Sequence, residues 1–224
     1  MKSYTYKMKM LPVNILAITI FIILIIVCNI TGISPFNSET YTLPVIGLIF
    51  IYFFLHELMH GLGYVLGGAK KENIKYGIAL EKGIFYAMCN QEITKENILL
   101  SLQMPFTVLG VITLIIGLIF KLPILTLLSI CNISGASMDL VMFFYILRMK
   151  NVKYSESGNC DEFVLISKED LEKKKSIFFK IVNVKKYNEK DFIFDKNVKK
   201  IKISKKSVII TIIFFIICLL SIFL

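Results

Sequence analysis

The sequence predicts an all-α membrane protein of about five transmembrane helices, with a small cytoplasmic hairpin and a Lys-rich cytoplasmic segment ahead of the last helix. Three observations lead there. The chain of 224 residues is 56% hydrophobic with a mean hydropathy of +0.71; its apolar residues fall into runs of spanning length; and its basic residues are gathered between those runs. A soluble domain is roughly half apolar with glycine already counted, so this composition points to a lipid environment.

The runs cover residues 11–33, 43–68, 98–120, 122–147 and 208–224, each close to the ~20 apolar residues a membrane helix needs. The first follows Lys2, Lys7 and Lys9, as a signal peptide would. It is about twice as long as a signal peptide's apolar core and has no small-x-small cleavage site, so it reads as a retained signal anchor.

Lys and Arg near span ends stay on the cytoplasmic side. Of the 26 basic residues, three precede the first run, five lie in 69–97, one separates the third and fourth runs, and seventeen fall in 148–206, whereas the loop 34–42 has none. The chain therefore divides into a cytoplasmic N-terminus (1–10), a four-helix core (11–147) with a cytoplasmic loop at 69–97, a basic cytoplasmic segment (148–206) and a C-terminal helix (207–224) that ends outside. The expected setting is a cell membrane crossed several times, and the Lys- and Ile-rich usage suggests a low-GC bacterium. The net charge of +10 comes mostly from the basic segment, where contact with anionic inner-leaflet lipid explains it. Nucleic-acid binding would need a groove to hold interleaved basic and aromatic residues, and a membrane-tethered segment makes that less expected.

The cytoplasmic loop holds two apolar runs, 74–80 and 84–88, around Glu81-Lys82-Gly83, which suits a β-hairpin with glycine at the left-handed turn position. Such a hairpin offers a free edge that an extended peptide can join; a plain surface hairpin or an interfacial re-entrant segment fits the same residues. The five cysteines are scattered without a C-x-x-C pair, so they suggest neither a metal knuckle nor a disulfide framework. Beyond residue 148 short β-prone runs alternate with charge, and either a small α+β domain or loose order against lipid fits them.

Chemistry enters in the second run, which reads His56-Glu57-Leu58-Met59-His60. On a helix, the four-residue spacing stacks the two imidazoles on one face, as a single zinc ion requires, and sets Glu57 beside the open coordination position as a general base. These are the chain's only 2 histidines. A carboxylate near the middle of a membrane helix costs roughly 2.5–3.5 kcal/mol on insertion scales, which a purely structural span would avoid.

A catalytic zinc usually takes three protein ligands. Apart from Glu57, Asp139 is the one acidic residue in any run. His60 and Asp139 each lie eight residues before the cytoplasmic end of their runs, or about 12 Å at ~1.5 Å per residue, so they share a depth. Glu81, Glu92, Glu96 and Glu156 are the alternative third ligands, and all lie in polar stretches. Asn132, two turns before Asp139, suits either a contact to substrate or oxyanion or a polar bridge between membrane helices. Small residues, Gly135 in the fourth run and Gly63 and Gly67 in the second, would let these two helices approach. Pro105 would loosen the third helix beside the site.

His56-Glu57-Leu58-Met59-His60-Gly61, followed two runs later by the segment from Asn132 to Asp139, resembles the site-2 protease class of intramembrane metalloproteases, and more narrowly the bacterial putative zincin peptidase family of small membrane proteins. The resemblance covers roughly residues 43–151. It implies a core of membrane helices, zinc held by His56, His60 and Asp139 near the cytoplasmic side, Glu57 activating water, and a membrane-protein or peptide substrate. A catalytically inactive membrane scaffold is the alternative. A metal transporter fits less well, since its acidic residues should spread through several spans.

Overall fold

The computed structural model describes residues 2–33, 42–79, 84–157, 162–168, 171 and 182–186. The last apolar run (208–224) and the hairpin turn at Glu81-Lys82-Gly83 lie outside the described residues.

The chain opens with a strand, β1 (Lys2–Met8), that runs directly into helix α1 (Met10–Ile30). Helix α2 (Thr42–Leu66) follows. It ends where Gly68 takes a φ of +97° and the Ala69 amide donates back to the Tyr64 carbonyl, a left-handed glycine stop. Strands β2 (Ile74–Ala79) and β3 (Ile84–Cys89) pair antiparallel from Ile74 opposite Cys89 to Ala79 opposite Ile84, which is the expected hairpin. A short strand β4 (Ile93–Thr94) leads into helix α3 (Lys95–Pro105), where the Thr94 hydroxyl accepts from the Asn97 amide as an N-cap.

The third predicted span is not a uniform helix. At Pro105 it widens into a π-helical stretch (Phe106–Ile112) before continuing as α4 (Thr113–Ile119). A proline brings no N–H to the helix interior, and wide turns of this kind commonly sit at functional sites. The fourth predicted span is also broken: α5 (Pro123–Gly135) and α6 (Ser137–Leu147) meet at Ala136 with a bend of 48°. At this break Ser134 Oγ donates to the Ile130 carbonyl and Ser137 Oγ to the Ser134 carbonyl, side-chain contacts that bend helices by competing with their own ladder. Among the described residues, three helices are long and apolar enough to cross a membrane, and four if the bent pair counts as one span.

The chain is mostly helical but not all-α, which corrects the expectation from sequence. Strands β5 (Val152–Glu156), β6 (Glu162–Ser167) and β7 (Val182–Lys186) join β1 and β4 in a five-stranded sheet of order β4-β5-β6-β1-β7. β1 pairs antiparallel with both β6 and β7, so the first residues of the chain form an interior strand. The signal was present in Lys2-Ser3-Tyr4-Thr5-Tyr6-Lys7-Met8, where Tyr4, Tyr6 and Met8 are buried and alternate with more exposed polar residues. That two-residue period marks a strand, and it was masked by the proximity of the apolar run that follows.

The core lies between this sheet and the helix ends. Tyr6 stacks on Phe163 and meets Tyr145 of α6 edge-on, both at 5.1 Å between ring centroids, and Ile98, Ile146, Leu165 and Tyr154 are buried around them. Lys95 ties the start of α3 to the end of α6 by donating to the carbonyls of Leu147 and Met149. All four helix ends that sequence assigns to one side of the membrane thus meet the sheet.

Gly63 and Gly67 face α3 and not the Asp139 helix. A Cβ on Gly63 would come within 2.5 Å of Ser101 Cα, and one on Gly67 within 2.9 Å of Asn97 Cα. The two backbones touch, and only the absence of side chains permits it. Gly135 does face α2, across the Phe53 ring.

Candidate metal centre

His56 and His60 occupy successive turns of α2, with ring centroids 4.8 Å apart. Both are buried. Their Nε2 atoms face each other at 3.1 Å. Asp139, in the first turn of α6, brings Oδ2 to 3.1 Å from His56 Nε2 and 3.5 Å from His60 Nε2. Two nitrogens and one carboxylate oxygen therefore converge on a triangle with sides of 3.1, 3.1 and 3.5 Å. Ligands held ~2.0–2.1 Å from a tetrahedral zinc stand about 3.3–3.4 Å apart, so the dimensions fit that ion.

The outer nitrogens fix which atoms face inward. His60 Nδ1 lies 2.9 Å from the Ser101 carbonyl, an oxygen that can only accept, so Nδ1 carries a proton and, in the neutral imidazole, Nε2 presents a lone pair. His56 Nδ1 lies 2.9 Å from Asn132 Oδ1, which imposes the same tautomer. Three lone-pair-bearing atoms then point at one another at 3.1–3.5 Å. One proton can relieve one of these contacts; a divalent cation relieves all three.

Pro105 accounts for much of this arrangement. Ser101 stands four residues before it, and in a regular helix the Ser101 carbonyl would accept from the N–H of residue 105. Proline has none, and His60 takes that carbonyl. Ser101 returns the contact, its hydroxyl donating to the His60 carbonyl at 2.9 Å. The Pro105 carbonyl, at the mouth of the π-helical stretch, accepts from Asn132 Nδ2 at 3.0 Å. Both histidines are thus oriented from the same interrupted helix, one directly and the other through Asn132.

Asn132 is buried with both ends of its amide engaged, one on His56 and one on Pro105. It bridges helices, which is one of its two readings in sequence. The break at Ala136 lets Asn132 and Asp139 serve one imidazole from two sides. On an unbroken helix their seven-residue separation would be roughly 10.5 Å along the axis.

Glu57 is half-buried, and its carboxylate lies with the histidine nitrogens inside a group whose candidate ligand atoms are all within 4.8 Å of one another. The backbone of Ala87, in β3, hydrogen-bonds to it. This centre opens on a cavity of about 510 Å³ that extends past Phe85–Met88 of the hairpin to the five-stranded sheet, where Met8, Tyr154, Glu156 and Glu162 line it.

Glu156, one of the alternative ligands in sequence, sits at this far end. It is buried, and the Tyr64 hydroxyl donates to it at 3.1 Å. Tyr154 and the Cys89 backbone also hydrogen-bond to it, but burial outweighs them and pushes its carboxyl up to about 7. Sequence reasoning passed over its surroundings because they arise from Tyr64 and Cys89, distant in the chain. The alternation of buried Val152, Tyr154 and Glu156 with more exposed neighbours was the available signal.

Comparison with curated proteins and with solved structures gave no match. Over residues 49–154, a little under half of the chain and the part that carries His56, Glu57, His60, Asn132 and Asp139, the sequence matches the model of the putative zincin peptidase family.

Proposed function

We propose that the chain is a zinc-dependent membrane-embedded endopeptidase of the site-2 protease type, cleaving peptide bonds of membrane or membrane-associated proteins. His56, His60 and Asp139 are its metal ligands and Glu57 its general base. The observation that carries this reading is the convergence of two imidazole nitrogens and a carboxylate oxygen at 3.1–3.5 Å beside a carboxylate that shares the helix but not the contact.

Zinc bound there supplies a Lewis acid, which acidifies a water molecule and polarises a carbonyl. Glu57 accepts the proton of the attacking water and returns it to the leaving amine as the C–N bond breaks. Asn132 and the Ser101 carbonyl act one step removed: they hold each imidazole in the tautomer that turns Nε2 inward. Ala87 keeps the Glu57 carboxylate turned toward the hairpin side of the cavity. A substrate helix must be extended before its backbone reaches this depth, and pairing with the hairpin edge is the means the fold offers. With the orientation expected from the basic residues, the cavity opens toward the cytoplasm.

The test is zinc content per chain of the detergent-purified protein beside His56→Ala, Asp139→Ala and Glu57→Gln. One zinc is expected in the parent and in Glu57→Gln, and loss from the other two. Zinc that survives removal of Asp139 would refute the ligand set; cleavage of a membrane-protein substrate by Glu57→Gln would remove the base.

A further inference from the structure

We propose that Glu156 forms a subsite for a cationic group of the substrate, a lysine or arginine side chain close to the scissile bond. The proposal rests on the peptidase reading above.

The cavity runs from the histidines to the sheet, and among the described residues its lining contains no lysine or arginine. Two carboxylates stand at that end. Glu162 already has a cation, since Lys7 Nζ lies 3.3 Å from its Oε1. Glu156 has none: with 9% of its surface exposed, it meets two tyrosines and a backbone amide, and no lysine or arginine among the described residues forms an ion pair with it. A buried carboxylate without a cation is costly to keep. Tyr64 and Tyr154 hydrogen-bond to it, line the same cavity, and carry no positive charge of their own. A guanidinium or ammonium arriving there gains a charge-assisted hydrogen bond in a sheltered setting and contact with aromatic rings.

The position also suits the substrate. Tyr64, which holds Glu156, stands four residues beyond His60 on α2, about 6 Å along the axis. An extended peptide advances about 3.3 Å per residue, so a side chain reaching Glu156 belongs to a residue about two positions from the bond at the metal centre. Membrane proteins concentrate Lys and Arg at the cytoplasmic ends of their spans. A cut just inside that boundary would bring such a residue to the sheet end of the cavity, and the charge would set the register of cleavage.

The experiment uses the full chain carrying Glu57→Gln, reconstituted in lipid nanodiscs, to select from a decapeptide library randomised at every position. A parallel selection uses Glu57→Gln with Glu156→Gln. Lysine and arginine should be enriched at least tenfold at one register, and the enrichment should vanish in the double variant. For the best peptide, exchange of that lysine for norleucine should weaken binding to the Glu57→Gln protein by about tenfold, a result that needs no change at Glu156. Selection by sequence without a basic preference, or a basic preference that persists without the Glu156 charge, overturns the subsite and leaves the peptidase reading intact. Retention of no peptide overturns both.

Discussion

Replacing Pro105 by alanine restores an N–H at the position that a regular helix would use to bind the Ser101 carbonyl. The new donor competes with His60 Nδ1, which now holds that oxygen at 2.9 Å. The same change draws the wide turn at Phe106–Ile112 back toward α-helical geometry and shifts the Pro105 carbonyl that anchors Asn132. Each histidine thereby loses the partner that fixes its tautomer, although no ligand has been removed. Loss of an outer partner of this kind typically weakens metal binding about 10–100-fold, equivalent to roughly 1.4–2.7 kcal/mol at 1.4 kcal/mol per decade. With both histidines affected, the upper end of the range is expected. Competition against a chromophoric zinc chelator, on purified parent and Pro105→Ala protein with matched helix content, measures the ratio of dissociation constants. A ratio within twofold would mean that the proline does not hold the site, and the account of its missing donor would be wrong.

Asn132→Leu should weaken zinc binding by about 10–100-fold, while Asn132→Asp, which keeps an acceptor for His56 Nδ1, should recover much of it; equal losses in the two variants would remove Asn132 from its orienting role. Gly63→Val must force side-chain atoms into the Ser101 backbone, which already stands 2.5 Å from where a Cβ would be, so a loss of at least the ~1–3 kcal/mol typical of overpacking should appear as a lowered unfolding midpoint. The Glu156 carboxyl is raised from 4.5 to about 7. The folded protein therefore holds a proton that the unfolded chain releases, and stability should fall as pH rises between about 4.5 and 7, by up to about 3 kcal/mol at 1.36 kcal/mol per unit. In zinc-free protein Glu156→Gln should flatten that slope, and parallel midpoint-against-pH curves for parent and variant would count against the assigned burial.

The legible parts of this molecule were those with a local signature. His56 and His60 are four residues apart on one helix, and Asp139 stood out because an ionised side chain is conspicuous in an apolar run. The hairpin was equally plain, its two runs separated by turn residues. The bend at Ala136 was hidden because Gly135-Ala136-Ser137 contains no proline and small residues are also common in straight membrane helices. Pro105 was noticed, but what it releases depends on His60 lying opposite Ser101, a fact of packing. The sheet was missed for a similar reason: β5 and β6 pair locally, but the strands that complete the sheet come from residues 2–8, 93–94 and 182–186, far from that pair in the chain.

The placement of β1 between β6 and β7 carries a consequence for assembly. β1 cannot be paired until the residues of β6 and β7 have followed it, after every described helix has been made. Long-range closures of this kind come late because the intervening chain must first be gathered in. Met8, Glu156 and Glu162, which line the sheet end of the cavity, are therefore brought together only after β6 has been made. Until then a newly inserted chain holds its histidines in a cavity whose sheet end is incomplete, and a protein truncated before residue 162 lacks both strands that pair with β1.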